Sequence, residues 1–169
     1  MEFNELIRNR YSVRAYRPDP IEDEKLAAVL EAARLAPTAA NRQPFKIIVI
    51  HTAGRKEGLG KIYRKDWFIQ PPILICAVGV PRLGWIREDR RRYLDVDVAI
   101  VMDHLILAAT DLGLGTCWIA AFNEKAAREE LAIPDDVMPL IFTPLGYPAD
   151  EPTSKERKPL SELVLYERW

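Results

Sequence analysis

Apolar positions along the chain follow two periods. Phe3, Leu6 and Ile7 stand at i, i+3 and i+4 and predict a short helix. Leu26, Val29, Leu30 and Ala33 repeat that spacing behind Glu22, Asp23 and Glu24. This acidic first turn suits a helix N-terminus, and Pro37 stops the helix. Between the two helices, residues 10–16 have no helical period and predict a strand. The run Phe45–His51 (FKIIVIH) is almost continuously apolar and predicts a strand central in a sheet. Residues 56–68 are weakly helical and end in Trp67-Phe68. Pro71-Pro72 then breaks the chain before a second buried strand over 73–80.

Residues 93–114 form the longest helical pattern, apolar almost all round at Val98, Ile100, Val101, Leu105, Ile106, Leu107, Ala108 and Leu112. Such a helix is buried on every side, which places it in the domain centre and at a subunit interface. Gly113 and Gly115 close it. A third strand is expected over 116–122, and Asn123 is a good N-cap for a helix over 124–131. The fourth strand, 137–145, carries Pro139 and Pro144, which predict an edge position or irregular ends. The tail offers Leu163, Val164, Leu165, Tyr166 and Trp169, too apolar for free chain, and is expected to pack on some surface, a partner subunit being one candidate. The sum is an α+β fold: a mixed, mostly antiparallel sheet of four to five strands surrounded by helices, spanning 1–169 as a single domain.

Composition narrows the function. The chain has 169 residues, 49% hydrophobic and 29% charged, values typical of a globular protein. Formal net charge is −1, so nothing draws it toward nucleic acid or an anionic membrane, and any phosphate must be bound locally. The polar N-terminus is unlike a signal peptide and no apolar run reaches spanning length, so a cytoplasmic protein without membrane association is expected. Cys76 and Cys117 sit in apolar sequence and read as buried free thiols. With only His51 and His104 as histidines, no metal site is expected. His104 reads as a hydrogen-bonded core or interface residue rather than a catalytic base. The basic connector 81–92, with Arg90-Arg91-Arg92 diluted by Glu88, Asp89 and Asp95, reads as a solvated face.

Candidate chemistry gathers elsewhere. In an extended Arg10-Tyr11-Ser12-Val13-Arg14, the residues Arg10, Ser12 and Arg14 share one face, spaced about 7 Å apart, while Tyr11 and Val13 point inward. Two guanidinium groups and a hydroxyl suit a phosphate, although charges on an edge strand are also common. Thr38, Asn41 and Gln43 lie on a loop bounded by Pro37 and Pro44. Lys155 and Arg157 alternate in a Pro-bounded extended segment and also read as solvent-facing charges.

These segments together resemble the nitroreductase family of FMN-dependent oxidoreductases. The matching stretches are R-x-S-V-R at 10–14, A-P-T-A-A-N-R-Q-P at 36–44, A-A-x-D-L-G-L-G-T-C-W-I at 108–119 and K-x-R-x-P at 155–159. The resemblance implies a homodimer with FMN at the subunit interface. It implies that Arg10, Ser12, Lys155 and Arg157 hold the phosphate, with Tyr11 beside them, and that Arg14 sits near the flavin N1/O2 edge. The loop residues Pro37, Thr38, Ala39, Asn41 and Gln43 would bind the cofactor, Thr38 and Asn41 from the other subunit, and backbone N–H groups around Ala120 and Ala121, next to the cofactor-binding Ile119, would face N5. Two departures stand out: the short connector 81–92, where many members carry covering helices, and Ala120-Ala121 in place of a frequent Glu-Gly.

The implied reaction passes hydride from NAD(P)H to the flavin, then electrons to a nitroaromatic, quinone or similar acceptor in two steps. A flavin carries its own reactivity, so the absence of a Ser, Cys or His catalytic constellation is expected. Alternatives within the resemblance are a dehydrogenase or dehalogenase-like enzyme for one metabolite, and a non-enzymatic flavin-binding or sensing module that docks through residues 87–92 and an exposed Trp85.

Overall fold

The computed structural model describes residues 1–169. Its elements are α1 (Phe3–Asn9), α2 (Asp23–Leu35), β1 (Phe45–His51), α3 (Lys56–Ile62), β2 (Ile73–Gly79), α4 (Leu94–Asp111), β3 (Gly115–Thr116), α5 (Glu124–Leu131), β4 (Met138–Gly146) and α6 (Leu160–Leu163). The four strands lie in the order β1-β2-β4-β3, and every ladder is antiparallel. One parallel bridge, Ser12 to Thr116, is added at the β3 edge.

The two-residue period of β2 divides the core. Ile73, Ile75 and Ala77 face α2 and α4, meeting Val29, Val101 and Leu105. Leu74, Cys76 and Val78 face α3 and α5, meeting Leu59, Phe68 and Ala127. Both faces of the sheet are therefore covered, which is why β2 is apolar at every position. Each large side chain buried here contributes about 1.5–3 kcal/mol.

Strand placement corrects one expectation and decides between the two alternatives of another. β1 is an edge strand, not a central one. Its apolar run reflects cover on both faces, with Ile47 and Val49 on one side and Ile48 and Ile50 on the other. Hydrophobicity reports what lies above and below a strand, not how many strands hydrogen-bond to it. Conversely β4 is interior despite its prolines. Pro139 sits where the β2–β4 register shifts between Ala77 and Val78. At Pro144, which has no N–H to give, a side chain takes over: the Cys117 N–H donates to Thr143 Oγ1 at 3.0 Å, and Thr143 Oγ1 donates to the Pro144 carbonyl at 2.9 Å. The ladder resumes beyond it, where Ile119 and Phe142 exchange both backbone bonds at 2.9 Å. The third strand is accordingly interrupted, with only Gly115–Thr116 in regular pairing.

The helices follow their sequence signals closely. Asn123 caps α5 by accepting from the Ala126 N–H at 3.1 Å. Gly113, at φ +74°, turns the chain out of α4 in a conformation that suits glycine. Within this chain α4 is not buried all round. Val98, Val101, Met102 and Leu105 are covered, whereas Val96 is exposed and Ala99, Ile100, Leu107 and Ala108 are half-buried. His104 donates from Nδ1 to the Ile100 carbonyl at 3.1 Å within the helix. Trp85 is half-buried, not exposed, with its ring edge-on to Tyr93 at 5.1 Å. Both cysteines are free and buried, and no helix is long and apolar enough to cross a membrane.

Candidate functional site

Residues 10–16 form an extended arm rather than a strand, held to the body of the protein along its length. The Val13 N–H donates to the Thr116 carbonyl at 2.9 Å, and the Arg17 N–H donates to the Tyr147 carbonyl at 2.9 Å. Val13 is 1% exposed and anchors the arm in the core. The Tyr16 hydroxyl donates back to the Val13 carbonyl at 2.9 Å, and burial raises its pKa. Arg10, Ser12 and Arg14 are thereby turned the other way.

They line a polar hollow of about 230 Å³, joined by Lys155, Arg157 and the hydroxyl residues Thr153 and Ser154. Lys155 closes it by donating to the carbonyls of Arg8 and Arg10. Burial, then the positive charges of Arg10 and Arg157, hold the Lys155 pKa below its ordinary value. None of Arg10, Arg14, Lys155 and Arg157 is in a salt bridge within the chain, although eleven salt bridges form elsewhere. Glu156 also lines the hollow but pairs with none of these cations, so four positive side chains face a single carboxylate and the lining suits an anion.

Asp150 buttresses the arm from behind. It accepts from the Arg14 N–H at 2.8 Å, and the Tyr11 hydroxyl donates to its backbone carbonyl at 2.8 Å. Burial, and then the Asp150 charge, push the Tyr11 hydroxyl up to about 12, so it stays a donor. Nothing in the sequence singles out Asp150, which lies in a loop far from residue 11.

The 38–43 loop is a second constellation. It turns through a short 3-10 segment, Ala39–Asn41, with Ala40, Asn41 and Gln43 at φ 52°, 53° and 48°. Its own side chains hold it: the Gln43 N–H donates to Thr38 Oγ1 at 3.0 Å, and Gln43 Nε2 donates to Asn41 Oδ1 at 3.2 Å. The Ala39 N–H donates to Asp97 Oδ1 of α4 at 2.7 Å. Asp97 was legible in principle, as one acid in the otherwise apolar buried stripe of α4.

Within one chain these two constellations lie apart. Ser12 bridges to Thr116, which pairs with Leu145, which pairs with Ile73, which pairs with His51 at the far end of β1. The loop enters β1 at Phe45. The separation is roughly 19 Å across the strands and 20 Å along them. The structure thus brings Arg10, Tyr11, Ser12, Arg14, Lys155 and Arg157 together and leaves Pro37, Thr38, Ala39, Asn41 and Gln43 at the opposite corner. Ile119, Ala120 and Ala121 continue from β3, on the cradle's edge of the sheet; Ile119 is buried and both alanines are exposed.

The nitroreductase family model matches residues 7–71 and 59–147. A nitroreductase family protein of Clostridium difficile 630 has a crystal structure that superposes with a TM-score of 0.91, at 39% identity over 100% of both chains. A protein of Archaeoglobus fulgidus whose name pairs NADH dehydrogenase with NAD(P)H nitroreductase is 32% identical, over 86% of this chain and 85% of its own. The FMN reductase [NAD(P)H] of Bacillus subtilis is 30% identical, over 92% of this chain and 71% of its own. The family match spans the arm, the 38–43 loop and the whole sheet, and on that match this chain belongs to the nitroreductase family.

Proposed function

We propose that this chain is an FMN-dependent NAD(P)H oxidoreductase, acting as a homodimer of single-domain subunits in the cytoplasm. The observation that carries the reading is the hollow lined by Arg10, Ser12, Arg14, Lys155 and Arg157, whose cations form no salt bridge within the chain. Its chemistry fits a phosphate monoester: charge-assisted donors, two further hydroxyl residues, and a lysine whose lowered pKa an anion would restore. Relatives named FMN reductase and NAD(P)H nitroreductase support the choice of ligand and reductant.

Bound FMN would supply the hydride and electron chemistry. The chain's residues would position and polarise. Arg10, Ser12, Lys155 and Arg157 would bind the phosphate. Arg14, held by its backbone N–H to Asp150, would offer a fixed cation to negative charge gathering at the pyrimidine edge. Thr38, Asn41 and Gln43, a sheet's width away, would serve the site of a second subunit, docked through the half-buried outer side of α4. NAD(P)H and an acceptor such as a nitroaromatic or quinone would visit the same face in turn.

The test is the visible spectrum of purified protein, before and after anaerobic addition of NADH or NADPH. Flavin absorption that bleaches on addition is the expected result. Absence of flavin bands, not restored by added FMN, would refute the proposal.

A further inference from the structure

Asp97 is the only charged residue among the buried side chains of this protein, at 1% exposure. Its Oδ1 accepts from the Ala39 N–H at 2.7 Å, and its Oδ2 has no hydrogen-bond partner at all. An apolar residue would fill the same stripe of α4 without that penalty. The N-terminal part of a helix softens the cost of the carboxylate but gives no reason for its presence. The reason lies at the other end of the bond.

Ala39 opens a loop in which Ala40, Asn41 and Gln43 all adopt positive φ. For residues other than glycine this geometry is unfavourable and persists only when surroundings impose it. The loop's internal bonds, from Gln43 to Thr38 and to Asn41, tie it to itself. They do not fix it on the body of the protein. Asp97 does so at its first turn, and Arg42 does so further on by donating to the Gly84 carbonyl at 3.1 Å.

The geometry points to Asp97 as a positioning residue: a buried carboxylate that clamps the Ala39 N–H and so presents Thr38 and Asn41, in their left-handed loop, to the cofactor site of the neighbouring subunit. This rests on the proposed FMN reading. Asp97 itself touches no ligand. Its carboxylate is retained for the orientation of the loop, not for the stability of α4.

The clamp can be cut from either side. Asp97→Ala removes the acceptor. Ala39→Pro removes the donor while suiting the backbone, since position 39 opens the 3-10 turn and Thr38 is already extended at φ −134°, ψ 156°. Asp97→Asn keeps an acceptor oxygen. In the FMN-loaded dimer, Asp97→Ala and Ala39→Pro should each weaken FMN binding about tenfold or more and alter the visible circular dichroism of the flavin. Asp97→Asn should stay within about threefold of the parent, and the double variant should be no worse than either single one, because both break the same bond. Amide exchange at residues 40–43 should accelerate in Asp97→Ala, with β2 amides unchanged.

Parent-like FMN affinity and dichroism in Ala39→Pro would overturn the assignment, as would unaltered loop exchange in Asp97→Ala. If Asp97→Ala does not fold, Ala39→Pro and Asp97→Asn decide the matter. A parent protein that binds no FMN would instead overturn the functional reading, and this inference with it.

Discussion

Val13 occupies the space that a side chain at position 115 would need: a methyl group on Gly115 would lie 2.7 Å from Val13 Cγ2. The arm that carries Arg10, Ser12 and Arg14 can lie on β3 only because position 115 is bare. Gly115→Ala should therefore cost about 1–3 kcal/mol through overpacking. In a chain of this size that is roughly 2–4 °C in Tm per kcal/mol. FMN affinity should fall with it, and Val13→Ala in the same chain should recover part of both losses, as thermal denaturation and flavin titration would show.

Lys155 gives a pH signature. Its folded pKa lies below the ordinary 10.5, through burial and then Arg10 and Arg157. The unfolded chain thus holds this proton more tightly, and the Lys155 contribution makes the unliganded protein gain stability as pH rises from the folded value toward 10.5. A bound phosphate reverses the preference, so FMN binding should take up a proton in that window and weaken as pH climbs through it. Calorimetry in two buffers of different ionisation enthalpy measures the uptake, and Lys155→Met should abolish it. That variant should also bind FMN roughly ten- to a hundredfold less tightly, as befits loss of a charged hydrogen bond.

Arg14→Met tests the electrostatic role separately from binding. With its guanidinium gone, the bound flavin should be harder to reduce, by tens of millivolts; about 30 mV corresponds to 1.4 kcal/mol for two electrons. Spectroelectrochemical titration measures this directly. An unchanged potential would remove Arg14 from the proposed mechanism.

Sharing of each site between subunits predicts complementation. A chain carrying Arg10→Ala and Lys155→Ala, mixed with one carrying Asn41→Ala, should recover activity that neither shows alone. Random pairing makes about half the dimers mixed, each with one intact site, so recovery should approach about a quarter of the parent activity. If both functions belonged to one chain, mixing would restore nothing.

The thiols should be inert while the protein is folded. Burial pushes the Cys76 thiol up to about 12 and also raises that of Cys117. Alkylation at neutral pH should proceed only through unfolding, at a rate set by global opening.

The sequence by itself determined the elements. Helical spacing at Leu26, Val29 and Ala33 marked α2, and the acceptor side chain of Asn123 marked the start of α5, because such signals act over one or two turns. It also determined which short motifs carry chemistry, since Arg10, Ser12 and Arg14 alternate in any extended chain. Strand order was beyond its reach. The apolar run of β1 misplaced its strand, because burial and edge position are separate properties and only the first is written in hydrophobicity, and the prolines of β4 marked an irregular ladder without telling it from an edge. Tertiary structure alone decided that Lys155 closes on Arg10, that Asp150 stands behind Tyr11, and that the 38–43 loop lies at the opposite corner of the sheet. Those relationships join residues tens to more than a hundred positions apart, and only the packing of the sheet between its helices fixes such distances.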